Sequence, residues 1–150
     1  MKQIIVALLI LSSALINPKN VIANVSMPCS SILEPVNTGF VNAKGAALVY
    51  KVKLSPSFPR TSISIQANHL PTPSSIGEYD SFEGFVFTQN EISWRFRLYP
   101  TPEEGSPTWA GRFDEITADL ANSKIEVRFS NSKTGNLGPV VLTGSINSCK

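Results

Sequence analysis

Histidine is nearly absent from this 150-residue chain, cysteine occurs only twice, and charged side chains make up just 16% of it. Each scarcity removes a class of function. A hydrolytic triad needs a base beside its nucleophile, and His69 is the single imidazole available. It stands in Asn68-His69-Leu70-Pro71 at the end of an alternating segment, where a surface loop histidine is a simpler reading than a general base. No second histidine offers metal-ligand spacing. Oxygen donors gather at Glu78, Asp80 and Glu83 without the order of an EF-hand loop, so solvated loop charges account for them. Glu103-Glu104 and Asp114-Glu115 are adjacent carboxylates, not a pair flanking a cleft as a glycosidase requires. Phosphate-cradling glycine loops are missing. No catalytic residue, metal or cofactor is expected, and a small secreted hydrolase is the remotest reading.

Long apolar runs are also scarce; the one present is informative. Ile4 to Ile16 is apolar except for Ser12 and Ser13, follows Lys2, and leads to Val21-Ile22-Ala23. That order is the secretory-signal pattern, and the run falls short of the roughly 20 residues of a membrane span. Cleavage after Ala23 leaves residues 24–150 as one domain, secreted or periplasmic, with no stable membrane insertion. Cys29 and Cys149 then lie at the two ends of the mature chain, in an oxidising compartment, and are expected to form one disulfide. Loss of Lys2 and Lys19 with the leader brings the 13 basic residues level with the 11 acidic ones. A general attraction to nucleic acid is therefore not expected.

What is abundant is period-two alternation. One apolar set is Leu48, Tyr50, Val52 and Leu54; others are Ile63, Ile65 and Ala67, then Trp94, Phe96 and Leu98. Trp109, Gly111 and Phe113 follow, then Ile125, Val127 and Phe129, and last Val140, Leu142, Gly144 and Ile146. Phe82 to Thr88 differs, because Phe82 and Val86 point one way while Phe85 and Phe87 point the other. Asn37 to Val41 is a candidate eighth strand. Ile116 is out of phase with Trp109 and Phe113, which calls for either a bulge or one helical turn, the bulge fitting slightly better. Turn residues separate the segments, including Gln89-Asn90-Glu91 and Lys133-Thr134-Gly135-Asn136. The predicted fold is all-β: a single-domain antiparallel β-barrel or β-sandwich of seven to eight strands, closed by one disulfide.

Two patterns point to binding. Lys51, Lys53, Arg95, Arg97, Arg112 and Arg128 fall on the polar faces of their strands. Neighbouring guanidinium groups there could hold an acidic glycan, lipid head groups or an acidic protein surface; a plain solvated face, offset by Asp114, Glu115 and Glu126, is the competing reading. Loop length is the second pattern. In an up-and-down meander the long loops Leu70–Asp80, Pro100–Pro107 and Asn131–Pro139 share one end, which would carry His69, Tyr79, Tyr99 and Trp109. A Greek-key order would scatter them. The expected function is a non-catalytic binding protein for an extracellular protein, glycan or other ligand. Its candidate ligand-binding residues are Arg95, Arg97, Arg112, Arg128, Tyr79, Tyr99 and Trp109. The alternative is a carrier of a small apolar ligand inside a barrel lined by Trp94, Phe96, Trp109 and Phe113.

Overall fold

Alternating β-branched and aromatic residues build eight strands in the computed structural model, which describes residues 27–53, 58–89 and 91–148. They are β1 (Cys29–Pro35), β2 (Lys44–Val52), β3 (Arg60–Asn68), β4 (Ser81–Thr88), β5 (Ile92–Pro100), β6 (Trp109–Ile116), β7 (Lys124–Ser130) and β8 (Leu137–Ser145). The barrel is closed in the order β1-β2-β3-β6-β5-β4-β7-β8, every neighbouring pair antiparallel. Its two corners are thin. β5 meets β6 only at Tyr99↔Ala110 and Pro100↔Trp109, and β1 meets β8 only at Glu34↔Thr143 and Pro35↔Leu142. The wall is thus two four-stranded sheets, β1-β2-β3-β6 and β5-β4-β7-β8, joined at those corners. The choice between barrel and sandwich resolves to a closed barrel that keeps a sandwich's two faces.

One core fills the interior. Phe82, Phe129, Ile63, Ile65, Leu98, Ile125 and Leu142 are fully buried within it. Phe82 meets Trp109 edge-on at 5.0 Å and Phe129 at 5.1 Å, the geometry aromatic rings favour. Packing is tight enough that a methyl group on Gly84 would stand 2.6 Å from Phe96 and 2.9 Å from Ile65. Phe96 in turn stacks on Phe113 at 6.2 Å. The aromatic side chains proposed to line a cavity therefore touch one another or their neighbours in the core.

Three local expectations change. The first strand is Cys29–Pro35, and Thr38–Phe40 is a 3-10 turn capped by Asn37, whose side chain accepts from the Gly39 amide at 2.9 Å. Ser31 and Cys29 face inward with Leu33, so this strand shows no apolar alternation to read. In β2 the phase is reversed: Ala47 and Val49 are fully buried, while Leu48 is 46% exposed and Tyr50 also lies on the outer face. Pairing of Val49 with Ile63 and Ala47 with Ile65 sets that phase, and a slip of one residue would turn every side chain over. The long loops are not scattered by the Greek-key-like order. Strand directions alternate along the chain, so the connections after β1, β3, β5 and β7 share one end.

The out-of-phase Ile116 is explained by a bulge, since the register shifts between the pairs Ile63↔Phe113 and Thr61↔Ile116. The leader of residues 1–23, Leu54, Asn90 and Cys149 lie outside the described residues. Cys29, at the start of β1, is buried.

Candidate binding face

At the long-loop end the connections are knitted together. Asp80 accepts from the Ser132 amide at 2.8 Å and the Ser132 hydroxyl at 2.6 Å, which hold its carboxyl below the usual range. Asn131 Nδ2 donates to the Glu78 carbonyl at 2.5 Å, and Asn131 Oδ1 caps the amides of Lys133 and Thr134. Beneath the loops Tyr79 packs on Phe129 at 5.7 Å and Phe40 on Phe129 at 6.1 Å. Tyr79 and Trp109, the latter 9% exposed, are therefore packing residues of this plug. His69 Nδ1 lies 3.3 Å from Ser106 Oγ, and among the described residues no carboxylate hydrogen-bonds the ring.

The outer face of β5-β4-β7 carries three of the four candidate arginines. Glu83 pairs in register with Arg97 on one side and Arg128 on the other. Arg95 forms an ion pair with Glu83, and Ser130 donates to the same carboxylate at 2.6 Å. The Arg95 contact holds Glu83 below the usual carboxylate range against the opposing effect of burial. Arg128 lies 3.5 Å from Glu126, donates to the Gly138 carbonyl at 3.1 Å, and covers the Phe85 ring at 5.8 Å. Burial pushes Glu126 up despite that arginine. On this face Arg95 and Arg128 are paired with Glu83 and Glu126 over Phe85 and Phe87, which touch at 5.1 Å.

The outer face of β1-β2-β3-β6 is different in kind. Strand pairing lines up one row across five strands: Ile32, Ala46, Gln66, Ala110 and Tyr99. A second row is Ser30, Leu48, Ser64 and Arg112. Alanine and serine keep the floor low, while Ile32 (61% exposed), Leu48 and Tyr99 (63% exposed) rise around it. The result is a groove of about 540 Å³ in which Ala46, Ser64, Gln66, Ala110 and Arg112 all take part. Its upper border is the Glu34–Lys44 ion pair and the bond from Thr108 Oγ1 to Asn68 Oδ1 at 2.6 Å. Its lower border is Tyr50 with Ser62, whose hydroxyl donates to Asp114 at 2.5 Å. The polar surroundings of Ser62 and Ser64, joined by the positive charge of Arg112, hold the Tyr50 phenol below its ordinary value.

Of the candidate binding residues, this face gathers Arg112 and Tyr99, with Arg97 next to Tyr99 on β5 at 5.7 Å from its ring. Sequence reasoning missed Ile32, Ala46, Leu48, Gln66 and Ala110. A signal was present in the doublets Ile32-Leu33 and Leu48-Val49. Adjacent residues of a strand point to opposite faces, so one apolar member of each doublet must face out.

A family model described as SPbeta prophage-derived uncharacterized protein YoqH matches residues 25–150. Over 150 residues the chain is 57% identical to the SPbeta prophage-derived uncharacterized protein YoqH of Bacillus subtilis (strain 168), covering 99% of each. No solved structure matches.

Proposed function

The chain belongs to the YoqH family, and we propose that this member is a secreted or periplasmic, non-catalytic β-barrel that binds a partner through the outer face of β1-β2-β3-β6. The observation that carries this reading is the groove itself. A strand face that only meets water is normally polar, yet here Ile32, Leu48 and Tyr99 stand exposed around a floor of Ala46, Ser64 and Ala110. Contiguous exposed apolar surface rimmed by polar groups is the usual mark of an interaction site. On the opposite sheet Arg95 and Arg128 are engaged with Glu83 and Glu126.

The carrier alternative gains little from the interior, where Gly84 has no room even for a methyl group. An extracytoplasmic location rests on the leader pattern, and the Cys29–Cys149 bridge belongs to the same proposal. Its support is proximity: the turn Ile146–Ser148 lies against β1, and Ser31 Oγ donates to the Ser145 carbonyl at 2.9 Å.

A photo-crosslinking amino acid placed at Ala46, Gln66 or Ala110, in protein made by its own host, tests the assignment. Discrete covalent adducts are expected from these three positions and not from Ser74 in the long-loop end or Ser93 on β5. Adducts confined to Ser74 or Ser93, or none from any position, would overturn it.

A further inference from the structure

The groove ends at the corner where β5 and β6 part. Arg97 and Arg112 each lie two residues beyond the Tyr99↔Ala110 pair, on the same outer face. Continuing that register would set the two guanidinium groups opposite one another. The backbones do come together there, since a Cβ on Gly111 would stand 2.4 Å from the Arg97 carbonyl oxygen. Pairing nevertheless ceases at this level, and like charges directly opposite disfavour an antiparallel pair. Arg112 shares Asp114 at 2.9 Å, whereas Arg97 has no ion pair among the described residues and rests on the Tyr99 ring. Glu83 and Asp80 lie within electrostatic reach of Arg97 but are engaged by Arg95, Ser130 and Ser132, so the exposed Arg97 guanidinium keeps no direct carboxylate contact, which an added carboxylate would supply.

Resting on the reading of this face as the binding surface, we infer that Arg97 and Arg112 form a carboxylate subsite at one end of the groove, and that the ligand is an extended, acidic-ended segment of a partner protein. The row from Ile32 to Tyr99 crosses five strands, about 19 Å at ordinary strand spacing. An extended peptide of about six residues spans that length. The methyl and aliphatic lining supplied by Ala46, Leu48 and Ala110 suits apolar side chains, and Gln66 can pair both donor and acceptor of a peptide group. A sugar would present hydroxyls to these methyl groups and leave them unpaired. A guanidinium meets a carboxylate in the planar, two-pronged geometry that makes such pairs strong.

The test is a nuclear magnetic resonance titration of the labelled mature protein with two acetylated, amidated hexapeptides. Both alternate leucine and alanine, and they differ only in ending with glutamate or glutamine. The glutamate peptide is expected to move the Ala46 and Ala110 amides and the side-chain N–H signals of Arg97 and Arg112. It should bind about ten-fold more tightly than the glutamine peptide, the worth of one charge-assisted contact. R97Q and R112Q, checked for native amide dispersion, should each bring the two peptides toward equal affinity. Equal binding of both peptides by the unsubstituted protein would remove the carboxylate subsite while leaving the binding face intact. No shift with either peptide would overturn the inference, and the crosslinking experiment would then decide separately whether the face binds at all. Tighter binding of tetragalacturonate at the same signals would overturn the peptide assignment in favour of an acidic glycan.

Discussion

Glu83 and Glu126 occupy neighbouring strands of one outer face and are shifted in opposite directions from the ordinary carboxylate value, which makes them informative at the scale of single residues. The Arg95 contact lowers Glu83, so its contribution to stability is present above the ordinary carboxylate range and is lost as pH falls through the depressed value. Burial raises Glu126, so the folded chain holds that proton more tightly than the unfolded one. Stability then declines as pH rises from the ordinary glutamate range through the raised value. Two substitutions separate these effects. Glu83→Gln should lower stability at neutral pH by about 1–2 kcal/mol, through the weakened Arg95 and Ser130 contacts. Glu126→Gln should raise the melting temperature at neutral pH and flatten the decline, because its Oε2 is buried without a hydrogen-bond partner in the folded protein. Thermal melts across roughly pH 4 to 8 check both, and a fall in neutral-pH stability for Glu126→Gln would contradict the assignment.

Among the elements, the β5–β6 corner depends on a missing side chain. Gly111→Ala would drive a methyl group into the Arg97 backbone, which cannot rotate away, whereas Gly84→Ala meets the ring of Phe96 and the tip of Ile65. Gly111→Ala should therefore be the more damaging, with Gly84→Ala costing about 1–3 kcal/mol; chemical denaturation of the two variants gives the order. How far each element was legible in the sequence follows from the same packing. β3, β5 and β7 could be read directly, since Ile63 and Ile65, Phe96 and Leu98, and Ile125 and Val127 alternate cleanly with polar neighbours. β1 could not, because two of its three buried residues are Cys29 and Ser31. β2 misled because its larger apolar residues, Leu48 and Tyr50, lie on the outer face while Ala47 and Val49 fill the core. Arg112 and Tyr99 could be nominated from strand faces alone. Their meeting with Ala46 and Ile32 depends on β3 pairing with β6, a long-range choice that no local pattern encodes.

At the scale of the whole molecule, two sheets with a shared core present unlike outer faces, one carrying the Arg95–Glu83 and Arg128–Glu126 pairs and the other an open groove. The proposed bridge between Cys29 and Cys149 would hold the first strand to the end of the last. Its loss in Cys29→Ser, Cys149→Ser should lower stability by about 2–5 kcal/mol, and thiol titration of the denatured, unreduced secreted protein should find no free cysteine. In the proposed binding mode β2 turns an apolar side chain, Leu48, outward to meet the partner. Leu48→Ser tests it most directly when paired with Val49→Ser. Leu48→Ser should change stability by no more than about 0.5 kcal/mol yet abolish the adduct formed from Ala110, while Val49→Ser should destabilise the fold by about 2–4 kcal/mol. Leu48→Ser that unfolds the protein like its neighbour, or that leaves the Ala110 adduct intact, would contradict it.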